Sequence, residues 1–312
     1  MGLFSKPKVI VLKDSCDSKE YLAKLQELRT TLPDSSDAAE KIDKEIAVTE
    51  AGIFGEDSVL FELKNSGMNL VVIRDLYIQT DDGRSAQIDF FVITPYANVI
   101  IECKNLFGNI EINNKGDFIR SFDYKGRKYK EGIYSPITQN ERHLEVYKDC
   151  WENNKGFVTK LIAGKYFSDY NKSVMVLANS KTVVNDKFAK KEIKQQVIRA
   201  DQLINYLKSL KSDLGSSLKS MKESGERVLA MNVQNRTDYF KKFEDLVAEV
   251  KNENVTSKES VEEQKVVNVE ENLVCPRCGG QLVLRTAKKG KNVGNQFYGC
   301  SNFPKCRYIK NM

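Results

Sequence analysis

The chain contains little histidine, tryptophan or proline: one His, one Trp and six Pro among 312 residues. A single histidine, His143, cannot supply the several imidazole ligands of a His-based zinc enzyme site. No apolar run approaches the ~20 residues that span a membrane. The first residues also lack the apolar core and cleavage site of a secretory signal. We therefore predict a cytoplasmic protein with no membrane partner.

Acidic residues are missing from one end of the chain. Residues 275–312 contain eight basic residues and no Asp or Glu, whereas the whole chain has 49 basic and 43 acidic residues and a net charge of +6. Residues 1–274 therefore contain the other 41 basic residues and all 43 acidic residues, which gives them a net charge of −2. A neutral-to-acidic body with a basic tail predicts that the tail binds a polyanion.

Four of the seven cysteines lie in that basic tail, as Cys275-Pro-Arg-Cys278 and as Cys300 and Cys306. An odd total with a clustered quartet favours an intracellular metal site over a disulfide framework. Two thiolate pairs can close a tetrahedral zinc site with no open position, so we predict one structural Zn²⁺. A segment this short needs the metal in order to fold.

Aromatic and basic residues are interleaved in the tail, as in modules that stack bases while contacting phosphates. One or two of the aromatic residues are expected to form the small core instead. The predicted DNA-binding residues are Arg285, Lys288, Lys289, Lys291, Phe297, Tyr298, Phe303, Arg307 and Tyr308.

The tail resembles the C-terminal zinc ribbon of bacterial type I DNA topoisomerases. The shared features are Cys-Pro-x-Cys-Gly, Gly-Cys-Ser-Asn-x-Pro-x-Cys and the trailing Arg-Tyr, over about 275–309. The resemblance implies binding to DNA, including single strands. The rest of the chain shows no catalytic-tyrosine domain or toprim-like acidic motif.

Charged residues interrupt two apolar segments that are expected to be neighbouring strands. Asp89 lies within residues 86–94, and Glu102 and Lys104 end the next segment. Alternate side chains share a face of a strand, so pairing would place Asp89 beside Glu102. Two carboxylates suit Mg²⁺ or Mn²⁺, and an adjacent ammonium can stabilise a phosphate during phosphodiester hydrolysis. The alternative is a cluster of ion pairs at a sheet end.

The same region resembles the nuclease-related domain, NERD, of the PD-(D/E)xK restriction-endonuclease-like superfamily. The matching stretches are Gly55-Glu56, Gln87-Ile-Asp89, Ile101-Glu-Cys-Lys104, Gly108 and Ser135-Pro-Ile-Thr-Gln139. The resemblance implies an α/β fold, a restriction-endonuclease-like mixed sheet flanked by helices. It implies metal ligands at Asp89 and Glu102 and a catalytic Lys104, with Glu56 and Gln139 as further site residues. Phe90 departs from the family, in which His often follows the Asp.

Three residues near these motifs have two interpretations each. His143 lies one turn after Gln139 on the same helical face, where it either faces the site or occupies the surface or core edge. Cys103 and Cys150 are interpreted as small core residues rather than nucleophiles.

The spacing of apolar residues predicts several local elements. Residues 18–50 should be helical with a break at Pro33 and an apolar stripe of Tyr21, Leu22, Leu25 and Leu28, and Gly52 and Gly55 should separate them from another helix over 56–63. Further expected elements are short strands at 108–112, 117–122 and 127–131, a helix at about 226–250 and two ribbon strands at 281–285 and 296–299.

The predicted domains are a helical arm at 1–50, the NERD nuclease-like domain at 51–180, a helical extension at 181–250, a flexible linker at 251–272 and the zinc ribbon at 273–312. The arm makes a homodimer conceivable. Together the motifs predict a Mg²⁺-dependent DNA nuclease with a zinc-ribbon DNA-binding module. The alternatives are a catalytically inactive DNA-binding or adaptor protein and an RNA-binding protein with a structural ribbon.

Overall fold

The computed structural model describes residues 6–153, 164, 166–212, 215–250, 275–287 and 296–311. The chain forms two compact units, Met1–Leu246 and Val247–Met312, which are described separately below. The predicted linker at 251–272 and the predicted DNA contacts Lys288, Lys289 and Lys291 lie outside the described residues. Within the described ranges, no helix has the length and apolar character needed to cross a bilayer.

The larger unit is built on a mixed sheet. Its strands are β1 (Val9–Lys13), β2 (Leu70–Gln79), β3 (Ser85–Ile93), β4 (Asn98–Lys104), β5 (Asn109–Ile112), β6 (Phe118–Tyr124), β7 (Arg127–Ile133), β8 (Asn171–Leu177), β9 (Val184–Asn185) and β10 (Val197–Arg199). The main sheet has the order β1-β2-β3-β4-β8-β10. Strands β2, β3 and β4 are antiparallel, and the β1–β2, β4–β8 and β8–β10 pairs are parallel.

Helices cover both faces of this sheet. They are α1 (Asp17–Thr30), α2 (Asp37–Lys64), α3 (Pro136–Asn153), α4 (Lys191–Gln196), α5 (Leu203–Ser209) and α6 (Leu218–Leu229). Because strand side chains alternate, Phe91 packs with α3 and α6 on one face, and Phe90 packs with α2 and α5 on the other. The predicted mixed sheet flanked by helices is therefore confirmed.

The N-terminal helices differ from the prediction. The expected break at Pro33 is present, and Ser36 caps α2 by accepting a hydrogen bond from the Ala39 N–H at 3.1 Å. The prediction of a separate helix beginning near Glu56 is wrong, because α2 runs without interruption from Asp37 to Lys64. A glycine inside a helix costs only about 1 kcal/mol relative to alanine, which packing of an apolar helix face can offset. The predicted domain boundary at 50/51 falls inside this helix.

The predicted helical stretch at 226–250 is also interrupted. Helix α6 ends at Leu229, and helical structure resumes at 241. Between them, the Val233 N–H donates to the Tyr77 carbonyl at 2.9 Å, and Asn232 Oδ1 accepts from the Tyr77 N–H at 3.1 Å. Strand β1 does not extend as far as Tyr77, so these backbone groups of β2 would otherwise lack a partner. The helix ends here because the extended chain supplies the missing hydrogen bonds.

A second, four-stranded sheet has the order β7-β6-β5-β9. Its inner residues Ile110 and Phe118 pack with Ile137 of α3 and Met175 of β8. Strands β6 and β7 form an antiparallel hairpin that continues from this core into solvent. The short strands expected near 108–112, 117–122 and 127–131 are thus present.

The smaller unit contains a three-stranded antiparallel sheet of β11 (Leu282–Thr286), β12 (Gln296–Cys300) and β13 (Ile309–Asn311). The first two strands follow the prediction. The sequence analysis missed β13, which lies directly after the last cysteine and pairs with β12 through Gly299 and Ile309.

Candidate active site and zinc centre

Strand pairing brings the two predicted metal-binding carboxylates to adjacent positions. Phe90 of β3 lies opposite Ile101 of β4, and Asp89 and Glu102 are the next residues along these antiparallel strands. Asp89 Oδ2 accepts a hydrogen bond from the Cys103 N–H at 2.7 Å. The carboxylates therefore lie where the two strands separate at the edge of the ladder.

Lys104 lies on the same face as Glu102, as the alternation of strand side chains predicts. Its Nζ is 2.6 Å from Glu102 Oε1, and the Glu102 side chain is only 2% exposed. Burial raises the pKa of Glu102 despite the attraction of Lys104. Burial alone would lower the pKa of Lys104, but the neighbouring Glu102 and Asp89 carboxylates raise it overall, so Lys104 is a cation.

Two effects disfavour the ionised form of Asp89. Burial raises its pKa well above the usual value, and repulsion from Glu102 and Glu56 raises it further, against the opposing effects of the Cys103 N–H and Lys104. A bound cation would stabilise these neighbouring carboxylates in their ionised form, because it compensates for their mutual repulsion and their loss of solvent. The donor set is two carboxylates, and hard oxygen donors of this kind are those that Mg²⁺ prefers. Asp89 and Glu102 therefore fit a divalent cation.

Helix α2 places Glu56 near this site because Gly55, which has no side chain, lets the helix pack closely against the residues that follow β4 and β8. A Cβ at Gly55 would stand 2.7 Å from Asn105 Cβ and 3.3 Å from Ala178 Cβ. Asn105 Nδ2 also donates to the Ala51 carbonyl at 2.7 Å. The helix is thereby held against the end of β4.

The sequence analysis missed Arg74, the partner of Glu56. Its guanidinium is almost fully buried, and Nε and Nη2 donate to Glu56 Oε2 at 3.1 and 3.0 Å. Its Nη1 donates to Asp57 Oδ1 at 2.6 Å. Burial raises the pKa of Glu56, and the cation of Arg74 works against that rise. A signal was present, since Arg74 interrupts the apolar strand Leu70–Gln79.

Asp75 is a second residue that the sequence analysis missed. Its φ of 55° lies in the left-handed region, which is uncommon for a residue other than glycine. Its carboxylate accepts from the Asp17 N–H and from Gln87 Nε2, both at 2.9 Å. These bonds connect the start of α1 and strand β3 to the strand that carries Arg74.

Helix α3 places His143 at the site and not on the surface. Asn140 anchors the helix, because its Nδ2 donates to the carbonyls of Ile100 and Val174 at 3.2 and 3.1 Å. His143 Nδ1 lies 3.6 Å from Glu102 Oε2, and this buried atom has no hydrogen-bond partner among the described residues. Burial, with a smaller effect of Lys104, lowers the pKa of His143 to about 4, so the imidazole is neutral.

Gln139 lies one turn before His143 and is half-buried. Its side chain is therefore on the helical face that includes His143. The role of Gln139 in the site stays a prediction.

The zinc ligands converge in the smaller unit. The Sγ atoms of Cys275, Cys278, Cys300 and Cys306 all lie within 4.8 Å of one another. The Cys275–Cys306 and Cys278–Cys300 separations are 3.7 and 3.3 Å. A tetrahedral zinc with bonds of about 2.3 Å requires sulfurs about 3.8 Å apart, so the four thiolates fit this metal.

Two tight turns present these sulfurs. The Gly279 N–H donates to the Cys275 carbonyl at 2.9 Å, and the Cys306 N–H donates to the Asn302 carbonyl at 3.0 Å. Gly279 has a φ of 70°, which glycine adopts readily. Ligand geometry is thus set by the backbone of each turn.

Five of the nine predicted DNA contacts line one groove of the ribbon, with a volume of about 300 Å³. They are Arg285, Phe297, Phe303, Arg307 and Tyr308. The guanidinium of Arg285 lies over the Phe303 ring at 5.9 Å. Tyr298 and Tyr308 pack on the cysteine core, which confirms that some of the aromatic residues are structural.

Two family models match separate parts of the chain. Residues 51–178 match the family model of the nuclease-related domain, NERD. Residues 273–312 match the model described as the topoisomerase DNA-binding C4 zinc finger. The two resemblances expected from the sequence are confirmed, and Asp89, Glu102 and Lys104 lie within the NERD match.

Topoisomerase relatives match the C-terminal region of the chain. DNA topoisomerase 1 of Methanocaldococcus jannaschii is 51% identical over 41 residues, which are 13% of this chain and 5% of the relative. DNA topoisomerase 1 of Helicobacter pylori is 34% identical over 77 residues, 25% of this chain and 10% of the relative. The uncharacterized protein YrdD of Escherichia coli is 43% identical over 42 residues, 14% of this chain and 21% of the relative. The chain thus spans a small fraction of these relatives, and no solved structure matches it.

Proposed function

We propose that the chain is a Mg²⁺-dependent nuclease that hydrolyses phosphodiester bonds of DNA. The observation that carries the proposal is the grouping of Asp89, Glu102 and Lys104 at the end of two paired strands. The match of residues 51–178 to the NERD model supports the same chemistry. Mn²⁺ is expected to substitute for Mg²⁺, because both accept carboxylate oxygens.

Each residue of the candidate active site would have its own role in hydrolysis. Asp89 and Glu102 would hold the metal, and a bound Mg²⁺ would supply positive charge for the phosphate. Lys104, a cation beside Glu102, would stabilise negative charge that develops on the phosphate oxygens or orient the attacking water. Glu56, held by Arg74, adds negative charge behind the metal ligands.

The ribbon would bind the DNA substrate, including single-stranded segments, with one structural Zn²⁺ holding its fold. Its groove combines Arg285 and Arg307 with the exposed ring of Phe303 and the half-buried rings of Phe297 and Tyr308, and this combination suits phosphates and bases together. Contacts of this kind are weakly selective and sensitive to salt. The setting that we propose is DNA processing, repair or defence in the cytoplasm.

Cleavage assays with site variants test the nuclease. Full-length protein with Mg²⁺ or Mn²⁺ is incubated with linear, nicked, circular and single-stranded DNA. Asp89→Ala and Lys104→Ala should each lower the cleavage rate by roughly 100-fold or more, since each removes charge that acts on the reacting phosphate.

The matched control is Lys64→Ala. Lys64 Nζ also pairs with a carboxylate, Asp14 Oδ2, at 2.9 Å, but its side chain is 45% exposed and lies outside the site. This variant should cleave at the unaltered rate. Cleavage that survives both Asp89→Ala and Lys104→Ala would contradict the mechanism.

A catalytically inactive DNA-binding or adaptor protein is the second candidate. The observation that favours it is the 2.6 Å pair between Lys104 and Glu102, in which the cation and the carboxylate satisfy each other. Retained DNA binding with no cleavage of any substrate in either metal would favour this role.

The packing of the N-terminal helices limits which surface could form the predicted homodimer. Leu25 of α1 and Ile42 of α2 are fully buried, and Tyr21 Oη donates to Glu45 Oε1 at 2.8 Å. The apolar stripe of the arm is thus used inside the chain, so a dimer would need its outer surface. Analytical ultracentrifugation of the full chain measures the oligomeric state.

A further inference from the structure

Aromatic and basic side chains follow one face of the β6–β7 hairpin. In the antiparallel register Arg120 lies opposite Glu131, Phe122 opposite Tyr129, and Tyr124 opposite Arg127. Opposed residues share a face, and residues two apart on a strand return to it, so these pairs lie on the same side. Phe107 joins them by contacting Phe122. This surface, called the ring face, consists of Phe107, Arg120, Phe122, Tyr124, Arg127, Tyr129 and Glu131. Glu131 forms an ion pair with Arg120, so Arg127 is the cation of this face that is left to contact a phosphate.

The rings are in contact with one another and reach solvent. Phe122 and Tyr129 stack with centroids 5.2 Å apart and planes 13° apart, and Phe107 meets Phe122 edge-on at 6.0 Å. The Arg120 guanidinium lies over the Phe122 ring at 4.8 Å. Phe107, Tyr124 and Tyr129 are 61%, 53% and 41% exposed. The ring face is thus an ordered aromatic surface that remains open to a ligand.

The ring face begins beside the candidate active site. Phe107 follows Lys104 by three residues, a chain length that spans at most about 11 Å. Between them, the Leu106 carbonyl accepts hydrogen bonds from Asn179 Nδ2 at 2.9 Å and Thr182 Oγ1 at 2.6 Å. After Phe107, Gly108 has a φ of 94°, and a Cβ there would lie 2.5 Å from the Ser121 carbonyl oxygen. Phe107 is therefore held in place between the site and the hairpin.

The charge of the hairpin favours a polyanion. From Phe118 to Ile133 the chain has five basic and two acidic residues. Charged residues on the edge strand β7 also protect it from pairing with other chains, and cross-strand packing accounts for the Phe122–Tyr129 stack. Neither explanation requires the exposed rings of Phe107 and Tyr124. Rings interleaved with cations are the usual surface for single-stranded nucleic acid.

We propose that the ring face binds a single-stranded segment of nucleic acid next to the active site. Bases would stack on the exposed rings, and Arg127 would contact phosphates. The proposal rests on the proposed function only in so far as a nucleotide chain reaches Asp89 and Lys104, and it does not depend on cleavage.

Photocrosslinking of the full chain tests the proposal directly. A short single-stranded oligodeoxynucleotide containing bromodeoxyuridine is irradiated with the Lys104→Ala variant, which prevents cleavage. Crosslinked peptides are then mapped by mass spectrometry. We expect crosslinks at Phe107, Tyr124 or Tyr129 in addition to those in the ribbon. Crosslinks confined to residues 275–312 would overturn the proposal and leave the hairpin to another class of partner, such as a protein.

Two neighbouring residues provide a matched pair of variants in the same background. Arg127 and Lys128 are both exposed and point to opposite faces of the hairpin. Arg127→Glu should lower the yield of crosslinks to the body, relative to those to the ribbon, at least about fivefold, whereas Lys128→Glu should change it less than about twofold. Equal losses in both variants would mean diffuse electrostatic attraction and would also overturn the proposal.

Loss of stacking is tested separately with Tyr124→Ser. This change should lower the yield at the remaining rings by about fivefold, which corresponds to the loss of roughly 1 kcal/mol per stacked base. Unchanged circular dichroism and urea midpoint show that the hairpin is intact. A yield that stays unchanged in a folded variant would contradict stacking at Tyr124.

The two proposals can fail independently. Body crosslinks from a chain that cleaves no DNA would support the ring face and reject the nuclease. Cleavage that depends on Asp89 and Lys104, without body crosslinks, would support the nuclease and reject the ring face.

Discussion

The body and the ribbon differ in where they place their charged side chains, in the interior or at the surface. The body buries Arg74 and Glu102 and half-buries Asp89. The pairs Arg74–Glu56 and Lys104–Glu102 offset part of the cost of removing these charges from water, whereas Asp89 and Glu102 repel each other. Among its described residues, the ribbon keeps its arginines at the surface and buries Cys275, Cys300, Cys306 and Leu282, while Cys278 is exposed. Buried charge suits chemistry at a fixed point, whereas exposed charge suits contact with a long polyanion.

The dependence of the ribbon on its metal should produce the largest effect. Cys306→Ser removes one of four thiolates, so zinc binding and the fold of the ribbon should both be lost. Structural zinc contributes about 10–16 kcal/mol in modules of this size. Zinc content and proteolysis of the ribbon measure the loss, while the urea transition of the body should not change.

The control for this variant is Cys16→Ser. Cys16 lies in the body, with its Sγ 3.6 Å from Glu56 Oε2, and should not affect zinc content. Full zinc content in Cys306→Ser would show that the ribbon does not need all four ligands.

The buried ion pairs of the body should produce the next largest effect. Arg74→Met removes a buried guanidinium and leaves the half-buried Glu56 without its cation, so the free energy of unfolding should fall by about 3–5 kcal/mol in a urea titration. The matched variant Arg84→Met breaks exposed pairs with Asp82 and Asp149 and should cost less than about 1 kcal/mol.

Adding Glu56→Gln to Arg74→Met should recover part of the stability, because the unpaired charge is then removed. Equal costs for Arg74→Met and Arg84→Met would contradict the view that the body depends on buried charge.

The smallest effect concerns His143, the only histidine, whose NMR resonances can be followed without ambiguity. Glu102 and Lys104 face its ring, and burial lowers its pKa to about 4. In the unfolded chain His143 has a pKa of about 6.5, so as the pH falls the unfolded chain is protonated at this residue before the folded chain is. The contribution of His143 to stability should therefore be fully present above pH ~6.5 and be lost as pH falls toward ~4, by up to about 3 kcal/mol.

A titration of the same resonance in urea, where the pKa should return to about 6.5, is the control. A native pKa near that value would show that burial does not disfavour the imidazolium, and His143 would then contribute no pH dependence to stability.

The two groups of candidate metal-binding residues could be found in the sequence because their spacing follows local rules. Cys275 and Cys278 are brought together by a two-residue spacing that one turn can close. Glu102 and Lys104 share a face because strand side chains alternate, and Asp89 lies on the adjacent strand. The mixed sheet followed from the same patterns of apolar runs and turns.

Other features depend on contacts between residues far apart in the chain. The Arg74–Glu56 pair joins a strand to a helix, and the orientation of His143 toward Glu102 depends on how α3 packs on β4 and β8. Local propensity at Gly52 and Gly55 favoured a helix break, yet the fold uses Gly55 as the point where α2 meets Asn105.

Periodicity therefore indicated which face of each element is buried, and spacing indicated which ligands share a metal. The neighbour that each face meets depended on the packing of the whole sheet, because long-range contacts outweigh local preferences of about 1 kcal/mol. For that reason the zinc site and the Asp89–Glu102–Lys104 group can be found in the sequence, whereas Arg74, His143 and the ring face become visible only in the folded chain.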